Sequence, residues 1–287
     1  YDAPDPRPDY YRNLPSYFYM DNTDYNRRNF AKYAWAKEAW ETDLPSTTHI
    51  NWDRLYAVNS LNSTASGNRS KYVIEERRVD QNDLNFAVNA KWNPVKFLTV
   101  NGGLSYKWNR TEYYKILDDL LGGDYYVNID QFAERDFAAY PTMIQNDLDY
   151  YLKNGAAQTL AQGDKYGYDY YAHVRRAEAW ASGRFTFGGF EATVAGRLGY
   201  SKFWREGLLR KGLFPGLDDN GNPFTYNGEV ITKYDQIDGR PITSKGESDK
   251  KDFLTGSGKI NLGYFISGGH RIYADAAYIT EAPTFNQ

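Results

Sequence analysis

Gly256-Ser257-Gly258-Lys259 has the composition of a phosphate-cradling loop. Such a loop needs a glycine with four residues between it and its Gly-Lys, and a Ser or Thr directly after the lysine. Phe253 and Ile260 stand at those places, so these glycines read as strand residues. Asp218-Asp219-Asn220-Gly221-Asn222-Pro223 resembles the start of a calcium loop, but Pro223 sits where an EF-hand requires glycine. An Asp/Asn/Gly-rich turn accounts for the stretch, with a bound calcium ion as the alternative. His49, His173 and His270 lie far apart without ligand spacing. Glu75-Glu76 and Asp118-Asp119 are adjacent carboxylates, and adjacent side chains do not converge as an acid and a base. The sequence therefore assigns no catalytic residue, no metal ligand and no cofactor.

What remains is aromatic. Tyr113, Tyr114, Tyr125, Tyr126, Tyr150, Tyr151, Tyr168 and Tyr170 fall between 112 and 170, interleaved with acids that include Asp118 and Asp119. Tyrosine offers a flat apolar face and a hydroxyl at low entropic cost, which suits recognition. These ten residues are the candidate ligand-binding set. The alternative is that the rings pack a long loop against itself and its neighbours.

Composition bounds the scaffold. The chain has 287 residues, 41% hydrophobic, with 27 Tyr, 15 Phe and 7 Trp. Disordered chains are poor in aromatics, so global disorder is excluded. A net charge of −3 argues against a nucleic-acid partner, which would demand a basic footprint. No cysteine is present, so disulfides and thiol chemistry are excluded. No run of about 18–20 apolar residues exists to make a membrane helix, but a membrane strand needs only about 9–11 residues with every second one apolar.

That alternation is what the chain shows. Leu84, Phe86, Val88, Ala90 and Trp92 alternate with Asn85, Ala87, Asn89 and Lys91. After Asn93-Pro94-Val95-Lys96 the pattern restarts, with Leu98, Val100, Leu104, Tyr106 and Trp108 opposed to Thr99, Asn101, Ser105 and Lys107. A second pair turns at Gly188-Gly189, and a third at Ser267-Gly268-Gly269. The reading is an all-β chain of about six long antiparallel strands in three hairpins. Its segments are a loop at 1–71, a hairpin at 72–111, a loop at 112–170, a hairpin at 171–207, a loop at 208–250 and a hairpin at 251–280. Short turns at one end and long loops at the other are the asymmetry of an up-and-down transmembrane β-barrel, here a segment of one with extracellular loops. Trp92, Trp108, Tyr200, Trp204, Tyr264 and Tyr278 fit an interfacial girdle. The opposite faces carry Lys91, Lys107, Arg184, Arg197 and Lys259 with Glu178, Glu191 and Asp275, expected to face a plug in the lumen. A soluble sheet with one buried face is the competing reading. Short helices are expected in the loops at 26–40, 50–62 and 141–154.

Several stretches carry a family likeness: DPRPDYYRNLPSYF (5–18), INWDRLY (50–56), QFAERDF (131–137), GDKYGYDYYAH (163–173) and RIYADAAYITEAPTF (271–285). They resemble TonB-dependent outer-membrane receptors of the Bacteroidota type. That resemblance implies a regulatory-like N-terminal domain, a plug and a barrel of about 22 strands. It implies energised uptake of a siderophore, haem, a corrinoid, an oligosaccharide or a peptide, bound by the extracellular loops. Implied partners are outer-membrane lipid and the TonB complex, acting through the plug. No plug or TonB box is recognisable here, and the chain opens in mid-loop, so an internal barrel fragment is expected. Six membrane strands cannot close a channel, since the smallest bacterial barrels have about eight. A secreted or surface β-rich carbohydrate-binding module is the alternative function.

Overall fold

The computed structural model describes residues 5–19 and 28–285. The chain divides into two compact units, Tyr1–Glu76 with Ile116–Gly167, and Arg77–Lys115 with Tyr168–Gln287.

The first unit is built of short helices and turns. α1 (Phe30–Glu41), the single-turn α2 (Pro45–Thr48) and α3 (Trp52–Ser60) precede the first long strand. α4 (Gln131–Phe137) and α5 (Leu148–Asn154) lie in the next long connection. Each start has a physical cause. The side chains of Asn29, Asn51, Asp130 and Asp147 accept from backbone N–H groups of the first turns of α1, α3, α4 and α5. The helix expected at 26–40 is thus seen from Phe30 onward, with Asn26 and Arg27 outside the described residues. The helix expected over 141–154 is confined to its second half, because Asp147 caps it there and residues 140–143 form a turn. α4 was not foreseen as a helix.

Two small apolar clusters fill this unit. Leu117, Tyr126, Leu160 and Tyr166 form one, and Leu55, Tyr72 and Leu121 the other. Asn59 of α3 is fully buried between backbone segments. Its Nδ2 donates to the carbonyls of Tyr72, Leu120 and Leu121 at 2.7, 2.9 and 3.1 Å. Its Oδ1 accepts from the N–H groups of Lys71 and Tyr72 at 2.8 and 3.0 Å. One amide thus satisfies five backbone groups from two distant stretches.

Six long strands dominate the rest: β1 (Ile74–Val95), β2 (Leu98–Asp119), β3 (Lys165–Phe187), β4 (Phe190–Gly207), β5 (Lys251–Phe265) and β6 (Arg271–Ile279). They lie in sequence order in one antiparallel sheet, whose seventh strand is the short Gly246–Glu247 paired with the end of β4. Among the described residues the sheet is open, with β1 and β6 at its edges, and no closed barrel is found. The strands overrun the expected hairpin limits. β2 continues to Asp119 and β3 begins at Lys165, so Tyr113, Tyr114, Tyr168 and Tyr170 stand on strands rather than in a loop. The first turn also shifts: β1 runs through Pro94, which an edge strand tolerates. The second turn falls at Gly188-Gly189 as read, where Gly188 has φ +58°, a conformation glycine adopts without a Cβ penalty.

Register decides what each face carries. Across β3, β4, β5 and β6, Gly183, Val194, Ile260 and Ala276 are directly paired, as are Phe187, Phe190, Tyr264 and Ile272. The neighbouring rows place Arg184, Thr193, Asn261 and Asp275 on the opposite face. No layer covers the apolar side: Leu84, Leu198 and Leu254 are 62%, 66% and 79% exposed. Val194 and Ile260 are exposed as well, and Val100 is half-buried.

Replacing Asn59 with Ala removes its hydrogen bonds to five backbone groups, of which the Leu120 carbonyl keeps the Ser70 hydroxyl and the Gly123 N–H as donors. Asn59→Ala should therefore cost about 2–4 kcal/mol, since each unsatisfied buried group costs about 1–3 and neighbours relax. Denaturant titration checks this, with proteolysis at α3 as a local readout. A loss below about 1 kcal/mol would contradict it.

Candidate functional site

The polar face of the sheet gathers tyrosines at the strand ends remote from the tight turns. The Tyr113 ring of β2 stacks on Tyr170 of β3, with centroids 5.1 Å apart and planes 13° apart. Tyr168 tilts against Tyr170 at 5.9 Å. Lys115 Nζ lies 5.4 Å from the Tyr168 ring centre, and the Arg205 guanidinium 4.6 Å from that of Tyr170. Strand alternation explains the grouping, because Tyr113, Lys115, Tyr168, Tyr170 and Arg205 all occupy polar-face positions. Opposite Tyr170 in the register is Gly207, and opposite Arg205 is Ala172, so small residues leave room for the rings. Gly207 has a further reason to be glycine: a Cβ there would stand 1.7 Å from the Ser244 carbonyl oxygen.

Arg205 gives this patch its charge. Its Nη1 donates to the Ser244 carbonyl at 3.2 Å, and no carboxylate pairs with it among the described residues. Flat ring faces, phenol hydroxyls and an unpaired guanidinium together suit the binding of a planar or ring-bearing ligand with acceptor groups.

The remaining tyrosines and acids of the candidate set, Tyr114 excepted, lie in the first unit, and several have structural partners there. Tyr126 is buried in an apolar cluster, edge-on to Tyr166, and its hydroxyl accepts from Gln131. Tyr125 hydrogen-bonds Thr64 at 2.8 Å. Asp119 accepts from the Leu121 N–H, and the carbonyl of Asp118 accepts from Gln162. Tyr150 and Tyr151 sit on α5. Tyr114, in the sheet unit, faces the apolar side and donates to Asp80 at 2.7 Å. The structure thus brings together Tyr113, Tyr168 and Tyr170 and does not join the others to them. Lys115 and Arg205 were missed, because reading 112–170 as loop hid the alternation that puts them beside these rings.

Lower on the polar face, the charged residues expected to meet a plug largely meet one another. Glu191 pairs with Arg184 at 2.8 Å and Arg271 at 3.6 Å. Glu178 pairs with Arg176 at 2.7 Å and Arg197 at 3.5 Å, and Arg197 reaches Glu281 at 3.9 Å. Asp275 accepts from Asn261, and Lys107 pairs with Asp83 at 3.6 Å. Lys91 and Lys259 form no ion pair among the described residues.

The other motifs resolve as local structure. Gly256 and Gly258 lie mid-strand opposite Leu198 and Gly196. Asp218 accepts from the N–H groups of Asn220 and Asn222 at 2.9 and 2.7 Å, so its carboxylate closes a turn. Glu229, the twelfth residue counted from Asp218 and overlooked in the sequence, pairs in a two-residue ladder with Tyr226. No cluster of three His, Cys, Asp or Glu that could hold a metal occurs among the described residues. His173 stacks on Trp204, with centroids 4.7 Å apart, and its Nε2 bonds Glu206 at 2.8 Å. The Tyr166 hydroxyl donates to Glu75. The chain matches no protein-family model, no curated protein and no solved structure.

Two measurements separate packing from surface. Tyr126→Ala should cost about 3 kcal/mol, the cost of emptying a buried aromatic site, and Tyr150→Ala under about 1. Similar losses in denaturant titrations would place both rings in one role. The Asp218 carboxyl is held below its ordinary 3.8, first by the Asn222 N–H and then by that of Asn220. A depressed pKa stabilises the turn above 3.8 and loses that contribution as pH falls through the lower folded value. The amide shifts of Asn220 and Asn222 should therefore titrate with a midpoint below 3.8, and a midpoint above it would contradict the turn.

Proposed function

We propose that this chain is part of the β-barrel wall of an outer-membrane receptor, of the TonB-dependent type its loop motifs resemble, serving energised uptake of a scarce nutrient. The observation that carries this reading is the bare apolar face of a single-layer sheet. In water, large contiguous apolar surface on a sheet is an aggregation hazard. Against lipid tails it is the solvated side. The dimensions fit. Phe190 to Tyr200 spans roughly 34 Å along a strand at about 3.4 Å per residue. Tilted by about 45°, that stretch covers roughly 24 Å, against an apolar band of about 25 Å in outer-membrane barrels.

No helix among the described residues is long and apolar enough to cross a membrane, so any crossing here belongs to strands. The wall would need further strands to close, and a plug to gate it. The nutrient would meet the Tyr113, Tyr168, Tyr170 and Arg205 patch on the polar side. A second reading, a secreted carbohydrate-binding module, draws on the stacked pair Tyr113 and Tyr170, whose flat faces suit a sugar ring.

The absence of native cysteine makes a direct test simple. Single cysteines replace Leu198 and Ile260 on one face and Arg197 and Lys259 on the other, each carrying a polarity-sensitive dye. In phosphatidylcholine vesicles, dyes on the first pair should shift to the blue and be quenched by brominated acyl chains, while those on the second stay water-exposed. Equal exposure of the two pairs, with the β-sheet intact by circular dichroism, would defeat the membrane reading and leave the soluble module.

A further inference from the structure

The apolar face ends in a row of rings and cations. Above Ala177, Tyr200 and Leu254, the same face continues with Trp108, Arg110, Arg175, Lys202 and Trp204. The Arg175 guanidinium lies between two indoles, 4.8 Å from Trp108 and 5.2 Å from Trp204. Its Nη1 donates to the carbonyls of Asn109 and Val174. Arg110 lies 4.7 Å over the Tyr171 ring, and its buried Nε has no hydrogen-bond partner.

Two facts make this row unusual. Arg175 and Lys202 are directly opposite in the β3–β4 register, where like charges destabilise a sheet. In addition, neither Arg110 nor Arg175 pairs with a carboxylate among the described residues, although acids share the face. Those acids have partners elsewhere: Glu206 with His173, Glu247 with Lys250 at 2.7 Å, and Glu112 with Tyr171. Asp252 flanks Lys202 from β5 without an ion pair. At the rim of an apolar band, Arg175 is half-buried between two rings with Lys202 opposite it, and neither cation forms an ion pair among the described residues.

We infer that Arg110, Arg175 and Lys202 form a seat for the phosphate of a lipid headgroup, with Trp108 and Trp204 walling it and the lipid's chains lying on the apolar face below. The inference rests on the membrane reading of that face. It does not follow from overall charge, since the chain is net negative at −3 and general attraction to anionic vesicles is opposed.

The test compares binding of the full chain to two vesicle types, phosphatidylcholine alone and phosphatidylcholine containing phosphatidic acid. The variants are R175Q with K202Q, R175K with K202R, and K259Q on the polar face as control, each verified as folded by circular dichroism. Wild type should prefer the phosphate-bearing vesicles, and the double Gln variant should lose about fivefold per cation of that preference while keeping its binding to neutral vesicles. R175K with K202R should retain most of the preference, and K259Q all of it. Equal wild-type binding to both vesicles would overturn the inference and leave the membrane reading intact. Binding to neither would remove the membrane reading and this inference with it. A preference that survives R175Q with K202Q, or that millimolar inorganic phosphate abolishes, would likewise overturn a lipid-specific seat.

Discussion

Strand register is the constraint on which this structure depends. Side chains alternate sides at every residue, so a one-residue slip between neighbours would mix leucines with arginines on both faces. The pairing of β3 with β4, β4 with β5 and β5 with β6 runs without an interruption in step. Between the tight turns and the rim, these four strands therefore deliver their apolar sets to one side and their charged sets to the other, while Arg175 and Lys202 mark the rim of the apolar side. Everything assigned to function here, the tyrosine patch, the ion pairs and the cationic rim, is a consequence of which side a position falls on.

The two units are stabilised by different physics. The helical unit uses small apolar clusters and caps, with Asn59 hydrogen-bonding backbone groups of two distant stretches. The sheet has no buried apolar layer of its own, so its cohesion within the chain comes from backbone ladders and cross-strand pairs. Glu191, buried between Arg184 and Arg271, illustrates the second kind: three charges on three strands whose geometry demands the observed register.

Much of the sheet was legible in the sequence because period-two alternation is a strong signal when strands are long. Leu254 to Tyr264 and Phe190 to Tyr200 read correctly as one apolar side each. Strand ends were not legible. Tyr113 and Tyr170 lie where alternation carries polar and aromatic residues on both sides, so nothing local separates strand from loop. The candidate tyrosines were sorted only by three-dimensional partners: Tyr126 into a core, Tyr113 and Tyr170 into a stack. Neither a cap such as Asp147 nor a hub such as Asn59 announces itself, because Asp and Asn are equally at home in turns.

The long connection between β2 and β3 enters at Asp119 and leaves at Lys165, while the pairing of these strands needs only that its two ends meet. Closing a loop costs entropy that grows with the logarithm of its length, about 0.6 kcal/mol for each doubling. Insertions and deletions are therefore thermodynamically cheap only where that connection builds no core, because Leu121, Tyr126 and Leu160 along it fill the two apolar clusters of the first unit.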